Sequence, residues 1–459
     1  MRRVLIIIGI LLIPAIPIVL VVTGVIKAKP ITVNKVTLTV WGTSDQKSAF
    51  NGVFSKFTAT HPYVTINYKQ VSATDYKTQL LSEWSKGTGP DIFFVPHSWL
   101  GSMEQFATPL PTDLTIPIIT TKKGLFGQQQ TVTKPTQAAP TQATIKSSFV
   151  DTVSTDIIRD GAVWGYPIAM DSLALYSNKD LLNNAKIFAP AATWGDLYNQ
   201  VTKSGLTVLD DKGTIVQSGI ALGTTTNIPY ATDILTLLMM QNGAQMIDSA
   251  KRVHFQQDAP GLNAVNFFTS FAQPNKETYS WNGDQTNARD AFTKGKLVYY
   301  IGTLSDQATI AKSGINWEVS ALPHLGTDGD KDALAGGAAR FINAAEYNIG
   351  MVSKASKTAK RSVYAWSLLN FMAQSANVNS YLNATGQLSA LRKTLATQTS
   401  DTQKGVFASQ LLTARSWYTG VDAQAADGFL QQMILSILKD GTDPQTALNL
   451  AASQIQGTL

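Results

Sequence analysis

The sequence predicts an α/β chain of two lobes, and two observations predict it. The 459 residues, 44% hydrophobic and 15% charged, are too many for one ordinary core and too apolar for a disordered chain. Over residues 36–95, apolar periods of two alternate with helical periods. That order of strand, helix, strand, helix, strand implies a parallel sheet with right-handed crossovers.

Val36, Leu38 and Val40 alternate with Thr37 and Thr39, giving a first strand. Trp41 to Asp45 form the turn after it, and Phe50, Val53, Phe54 and Phe57 mark a helix whose start Ser44 or Asp45 is placed to cap. Val64, Ile66 and Tyr68 make a second strand. Tyr76, Leu80, Leu81 and Trp84 stripe a second helix, which "KGTGP" stops before a third strand at Ile92 to Val95. Residues 111–150 are rich in Thr, Gln and Pro and predict a surface excursion with little regular structure. Beyond them, Ile234 to Met246 reads as a nearly all-apolar helix and "GKLVYYIG" as a buried strand. The pattern turns helical past residue 343. Asp443 caps the last helix and Pro444 opens it, with Leu448, Ala451, Ala452 and Ile455 on one face.

The formal charge is +6, but Arg2, Arg3, Lys27 and Lys29 supply four of those charges, so the remainder has no nucleic-acid footprint. Val4 to Ile26 is a run of 23 residues without a charge, long enough as a helix to cross a bilayer core of about 30 Å. It exceeds the apolar core of about 7 to 15 residues usual in a cleaved signal, and its exit, "VIKAKP", is a poor cleavage site. The expectation is an uncleaved transmembrane anchor over residues 1–30, contacting the cytoplasmic membrane through residues 4–26 and holding the rest at its outer face. Secretion after signal cleavage is the alternative. Cysteine is absent, which excludes disulfides, thiolate chemistry and lipid attachment through a cysteine.

Catalytic signatures are missing. His61, His97, His254 and His324 are scattered and share no short motif with an acid, and there is no phosphate loop or dinucleotide fingerprint. No catalytic residue, cofactor or metal is expected. Predicted loops instead carry Asp45, Trp99, Tyr166, Asp171, Tyr230, Trp281, Trp417, Tyr418 and Asp422. Rings and carboxylates in such a set suit a polyhydroxylated ligand, whose C–H face lies on a ring while acceptors hold its hydroxyls. Each residue alone also fits a packing role. Trp99 follows a strand's carboxyl end, where ligands collect in open α/β sheets.

Four passages in this order, "LTVWGTSDQ", "GPDIFFVPHSWLG", "GYPIAMDSLALYSNKDLL" and "ARDAFTKGKLVYYIG", resemble the extracellular solute-binding proteins of bacterial ABC importers, the sugar-binding family that includes maltose-binding protein. The resemblance covers about residues 36–455. It implies a two-lobed periplasmic-binding-protein-like fold of type II, with lobe one at 33–168 and 325–392, lobe two at 172–320 and 396–459, and a ligand cleft between them. It further implies capture of a mono- or oligosaccharide by a monomeric head, without catalysis, for delivery to separate permease and ATPase subunits. A glycerol phosphate, polyamine or peptide ligand is the alternative within the fold. A polysaccharide-active enzyme or a surface adhesin is the alternative outside it. The residues implied to bind ligand are Asp45, Ser98, Trp99, Asp171, Tyr230 and Trp417. Ser98 and Trp99 stand where the family's type member has an aspartate and an arginine, and Leu304 stands where it has a ring.

Overall fold

The computed structural model describes residues 33–43, 45–124, 127–325 and 341–459. β1 (Val36–Gly42), β2 (Val64–Gln70) and β3 (Ile92–Pro96) are parallel, joined by α1 (Lys47–Thr60) and α2 (Tyr76–Ser85), with β1 between its two neighbours. The alternation of β1 buries Leu38 and Val40 completely, and α1 buries Phe50, Val53, Phe54 and Phe57 as one stripe. One detail of the capping expectation is corrected: the residue before α1 is Gln46, which makes no side-chain cap. The Asp45 carboxylate instead accepts from the Tyr381 hydroxyl at 2.6 Å.

The 111–150 stretch holds more regular structure than expected. β4 (Ile118–Gly124) and β5 (Gly127–Thr133) form an antiparallel hairpin, and a short helix follows at Gln142–Ser148. Thr, Val and Ile favour strands, but the two alternating sets of positions are both largely polar, so no one-sided hydrophobic period marks the hairpin.

Downstream come β6 (Tyr166–Pro167), β7 (Asp171–Asn178), β8 (Val208–Leu209), β9 (Ile215–Ile220), β10 (Leu297–Thr303), β11 (Trp317–Ser320), β12 (Asn343–Glu346), β13 (Asn348–Val352) and β14 (Ala414–Arg415). They complete two main sheets. The first has the order β2-β1-β3-β13-β6; the second has β8-β9-β10-β7-β12-β14, with β11 also pairing to β7. All seven residues of β10, the expected buried strand, are buried. Around the second sheet pack α3 (Ala231–Gln241), α4 (Ala423–Lys439) and α5 (Pro444–Gln456). The start of α5 follows its sequence grammar: Asp443 accepts from the Thr446 amide at 2.9 Å and Pro444 opens the helix.

The chain passes between the sheets at three places. It leaves the first sheet between β6 and β7, returns at Tyr347 between β12 and β13, and crosses again between the helices Arg392–Gln398 and Gly405–Leu411. The return lies later than the 320–325 boundary suggested by the sequence, because Ala345 and Glu346 still pair with Ser172 and Asp171 of β7.

The anchor expectation is corrected. Val4 to Ile26 lies outside the described residues, and among the described residues no helix is long and apolar enough to cross a membrane. The longest helix given above, α4, has 17 residues and interleaves Asp427, Gln431 and Gln432 among its apolar positions. Nothing in the structure therefore supports a transmembrane helix, membrane anchoring through residues 4–26, or localisation by an uncleaved helix.

Candidate functional site

Two cavities of about 730 and 310 Å³ lie where the carboxyl end of β3, the crossovers and the start of α3 converge. Pro96, Tyr230 and Glu346 line both, so the cavities are two arms of one cleft between the sheets. All six residues named from the sequence line it: Ser98, Trp99 and Trp417 in the larger arm, Asp45 and Asp171 in the smaller, Tyr230 in both.

Each reaches the cleft for a local reason. The chain turns through one 3₁₀ turn, His97–Trp99, directly after β3, which leaves Ser98 and Trp99 half-buried at the sheet's ligand end. Lys77 of α2 holds its ammonium 5.5 Å from the Trp99 ring centre. Trp417 enters from the segment after β14 and meets Tyr418 and Phe255 edge-on, at 5.5 and 6.5 Å between ring centres. Tyr230 precedes α3 with a φ of 59°. That left-handed conformation costs a bulky side chain about 1–3 kcal/mol, strain of a kind that clusters at ligand sites. Its hydroxyl lies 3.2 Å from Thr303 Oγ1, and burial pushes its pKa up to about 12.

Asp171 opens β7 and holds the loop after β10. Its Oδ1 accepts from the amides of Ser172 and Leu304 at 2.8 and 3.0 Å, and its Oδ2 from Ser305 at 3.1 Å. Burial raises its pKa to about 6, although those three amides favour the charged form. Most of its acceptor capacity is thus already used in fixing the crossover.

Sequence reasoning missed three acids in the same cleft. Asp233 in the first turn of α3 and Asp427 on α4 line the larger arm, and Glu346 at the end of β12 lines both. Asp427 accepts from the Thr232 hydroxyl and, at 2.7 Å, from the Gln431 amide. None of Asp171, Asp233, Glu346 and Asp427 forms an ion pair among the described residues. Burial and the neighbouring Asp427 charge push Asp233 up to about 7. Burial, then repulsion from Asp233, Asp171 and Asp427, holds Glu346 well above the ordinary carboxyl range. A signal was present: Asp233 and Glu346 are lone acids inside the apolar runs "YATDILTLLMM" and "INAAEYNIGMV".

Other candidates are structural. Trp281 is fully buried and donates to Asn227 Oδ1 at 2.9 Å. Tyr166 is core, stacked on Phe149. Tyr418 touches the larger arm, but its hydroxyl donates to Thr458 and accepts from the Asp422 amide. Asp422 caps α4, and Leu304 lies outside both arms of the cleft. His61 and His97 stack on Phe57 and Tyr347. Among the described residues no group of three His, Asp or Glu is arranged to hold a metal.

Residues 52–408 match the bacterial extracellular solute-binding protein family. The chain belongs to that family. Its members are non-catalytic binding proteins, and this chain is accordingly a solute-binding protein and not an enzyme. The fold is shared with a maltose-binding periplasmic protein from Listeria monocytogenes in complex with maltose, at 17% identity and a TM-score of 0.68 over 92% of this chain and 97% of that one. It is shared equally with the cyclic α-maltosyl-1,6-maltose binding protein from Arthrobacter globiformis, at 17% identity and 0.69 over 93% and 99%. Among curated relatives, an sn-glycerol-3-phosphate-binding periplasmic protein of Rhizobium meliloti is 26% identical over 193 residues, 40% of this chain and 41% of the relative. A putative binding protein of Brucella abortus is 27% identical over 154 residues, 34% of this chain and 31% of the relative. The matches therefore span about a third to two fifths of those relatives.

Proposed function

We propose that this solute-binding protein captures a saccharide in the cleft and delivers it to an ABC importer whose permease and ATPase subunits are separate polypeptides. The observation that carries the reading is the larger arm, where Trp99 follows a strand of the first sheet while Tyr230 and Trp417 belong to segments of the second. Rings brought from two lobes suit the apolar faces of a sugar, and closure over it excludes water. The lobes are the two sheet units, hinged at the crossovers, with Asp171 tying β7 to the loop after β10. The structural relatives, one in complex with maltose and one a binding protein for cyclic α-maltosyl-1,6-maltose, support the class of ligand.

A glycerol phosphate, raised by the curated relatives, fits less well. Among the described residues lining either arm, Lys77 is the one Lys or Arg, against five carboxylates, Asp45, Asp171, Asp233, Glu346 and Asp427. A phosphate dianion there would have one cation beside it and would be repelled by each of those carboxyl groups that ionises. A calorimetric screen against mono- and oligosaccharides and glycerol phosphates tests the reading. Saturable saccharide binding without turnover is expected; binding of glycerol phosphate alone, or hydrolysis of the saccharide, would overturn it.

A further inference from the structure

The cleft gathers more carboxyl groups than a neutral sugar uses. Hydroxyls need acceptors, but they do not need Asp233, Glu346 and Asp427 in the same arm with no cation paired to any of them among the described residues. Ionising such neighbours together in a partly desolvated cavity is costly, and in the empty protein that cost shows as the raised pKa of Asp233 and Glu346. Such an arrangement persists at a binding site when the ligand supplies the missing charge. The aromatic walls fit as well, since an indole face attracts a cation while its flanking methylenes or ring C–H groups pack on it. Lys77, placed by Trp99, already shows that contact.

We infer that the solute carries at least one protonated amine, held in the larger arm by Asp233, Glu346 and Asp427 and flanked by Trp99 and Trp417. This rests on the reading of the cleft as the ligand site and narrows its occupant to cationic solutes, an amino-saccharide or a linear polyamine. The size and aromatic lining of the cleft favour the amino-saccharide. The other titratable groups near this arm are Lys77 from α2, Asp171, which pairs with Glu346 from β7, and the hydroxyl of Tyr230. Lys77 is the one that opposes a bound amine.

The test is calorimetry on the full chain with three probes: glucosamine oligomers of one to four units, the same oligomers N-acetylated, and spermidine. The pairing of the first two changes the charge while keeping the sugar rings. The amine oligomers are expected to bind at least about tenfold tighter than the acetylated ones, a charge-pair effect that weakens as salt rises. Glu346→Gln with Asp233→Asn should remove that preference while the melting temperature of the empty protein holds or rises, which separates lost recognition from damage to the fold. Lys77→Met should strengthen amine binding; unchanged or weaker binding would show that no positive charge of the ligand sits near Lys77 and overturn the inference. Spermidine binding without oligomer binding would support the cationic class and overturn the saccharide reading. Acetylated oligomers binding as tightly as the amines would overturn the charge inference and leave that reading standing. Absence of amine binding across the panel also overturns the inference, and amine binding unaffected by Trp99→Ala would overturn the assignment of the cleft.

Discussion

Trp99 sits on the turn that ends β3, half-buried, with one face toward the larger arm and an ammonium near its ring. Replacing it by alanine should weaken ligand binding by about 1–4 kcal/mol, the range of a buried aromatic anchor, without changing the melting temperature of the empty protein much. Phenylalanine should recover part of the loss, and calorimetry beside a thermal melt reads both. Asp45, Asp171, Tyr230 and Trp417 stood out as rings and carboxylates at predicted loops, and the family resemblance is what marked them as ligand positions. The three acids missed stand in apolar runs, where a carboxylate reads as an exception to a buried helix or strand rather than as the wall of a cavity. The titration of two cleft carboxyls, Asp171 and Asp233, has a sign that can be measured. Asp171 and Asp233 are raised to about 6 and about 7 in the folded chain, above the unfolded carboxyl value of about 4. The folded state therefore binds more protons than the unfolded one between those limits, and the empty protein loses stability as pH rises from about 4 to about 7. Thermal melts across that range should show a falling midpoint, with Glu346→Gln and Asp233→Asn flattening the fall. An unchanged profile in both variants would place the pH dependence elsewhere.

At the scale of elements, the local grammar held at α5, which Asp443 caps and Pro444 opens, and failed at α1, which Gln46 precedes without a side-chain cap. The helix Trp194–Lys203, not read from the sequence, begins with a complete capping box, in which Thr193 accepts from the Asp196 amide and Asp196 accepts from the Thr193 amide, both at 3.0 Å. Thr193→Ala should cost about 0.5–2 kcal/mol, read as a lower denaturation midpoint with ligand affinity unchanged. The hairpin at 118–133 was illegible because neither alternating set of its residues is apolar in the sequence, so pairing between the two strands, not hydropathy, defines it. The turn past β3 also meets the C-terminal segment closely. A Cβ on Gly101 would come within 2.1 Å of the Gly420 carbonyl oxygen, backbone that cannot swing away as a side chain can. Gly101→Val should force these two segments apart and weaken ligand binding, since Trp99 and Trp417 stand two and three residues from that contact. Affinity equal to that of the unchanged protein would show that the contact is not needed for the bound arrangement.

For the whole molecule, the parallel β-α-β-α-β start announced the first sheet, while the second sheet's mixed order could not be read from local pattern. Its strands come from five separated stretches of chain, and β12 joins it just one residue before the chain returns to the first sheet. That return at Tyr347 places Glu346 at the meeting of the two arms, which explains how a residue far from the other cleft residues in sequence comes to line both. Hinged lobes should close on a captured solute, so small-angle scattering should give a smaller radius of gyration at saturation, and tight binding without contraction would argue against closure. The most direct measurement of the central claim is a crystal structure of the chain with a saturating saccharide from the calorimetric panel. The account predicts the solute between Trp99 on one side and Tyr230 and Trp417 on the other, within reach of Glu346. A solute seated elsewhere, such as the separate cavity of about 420 Å³ beside Tyr166, with the cleft left to solvent, would contradict it.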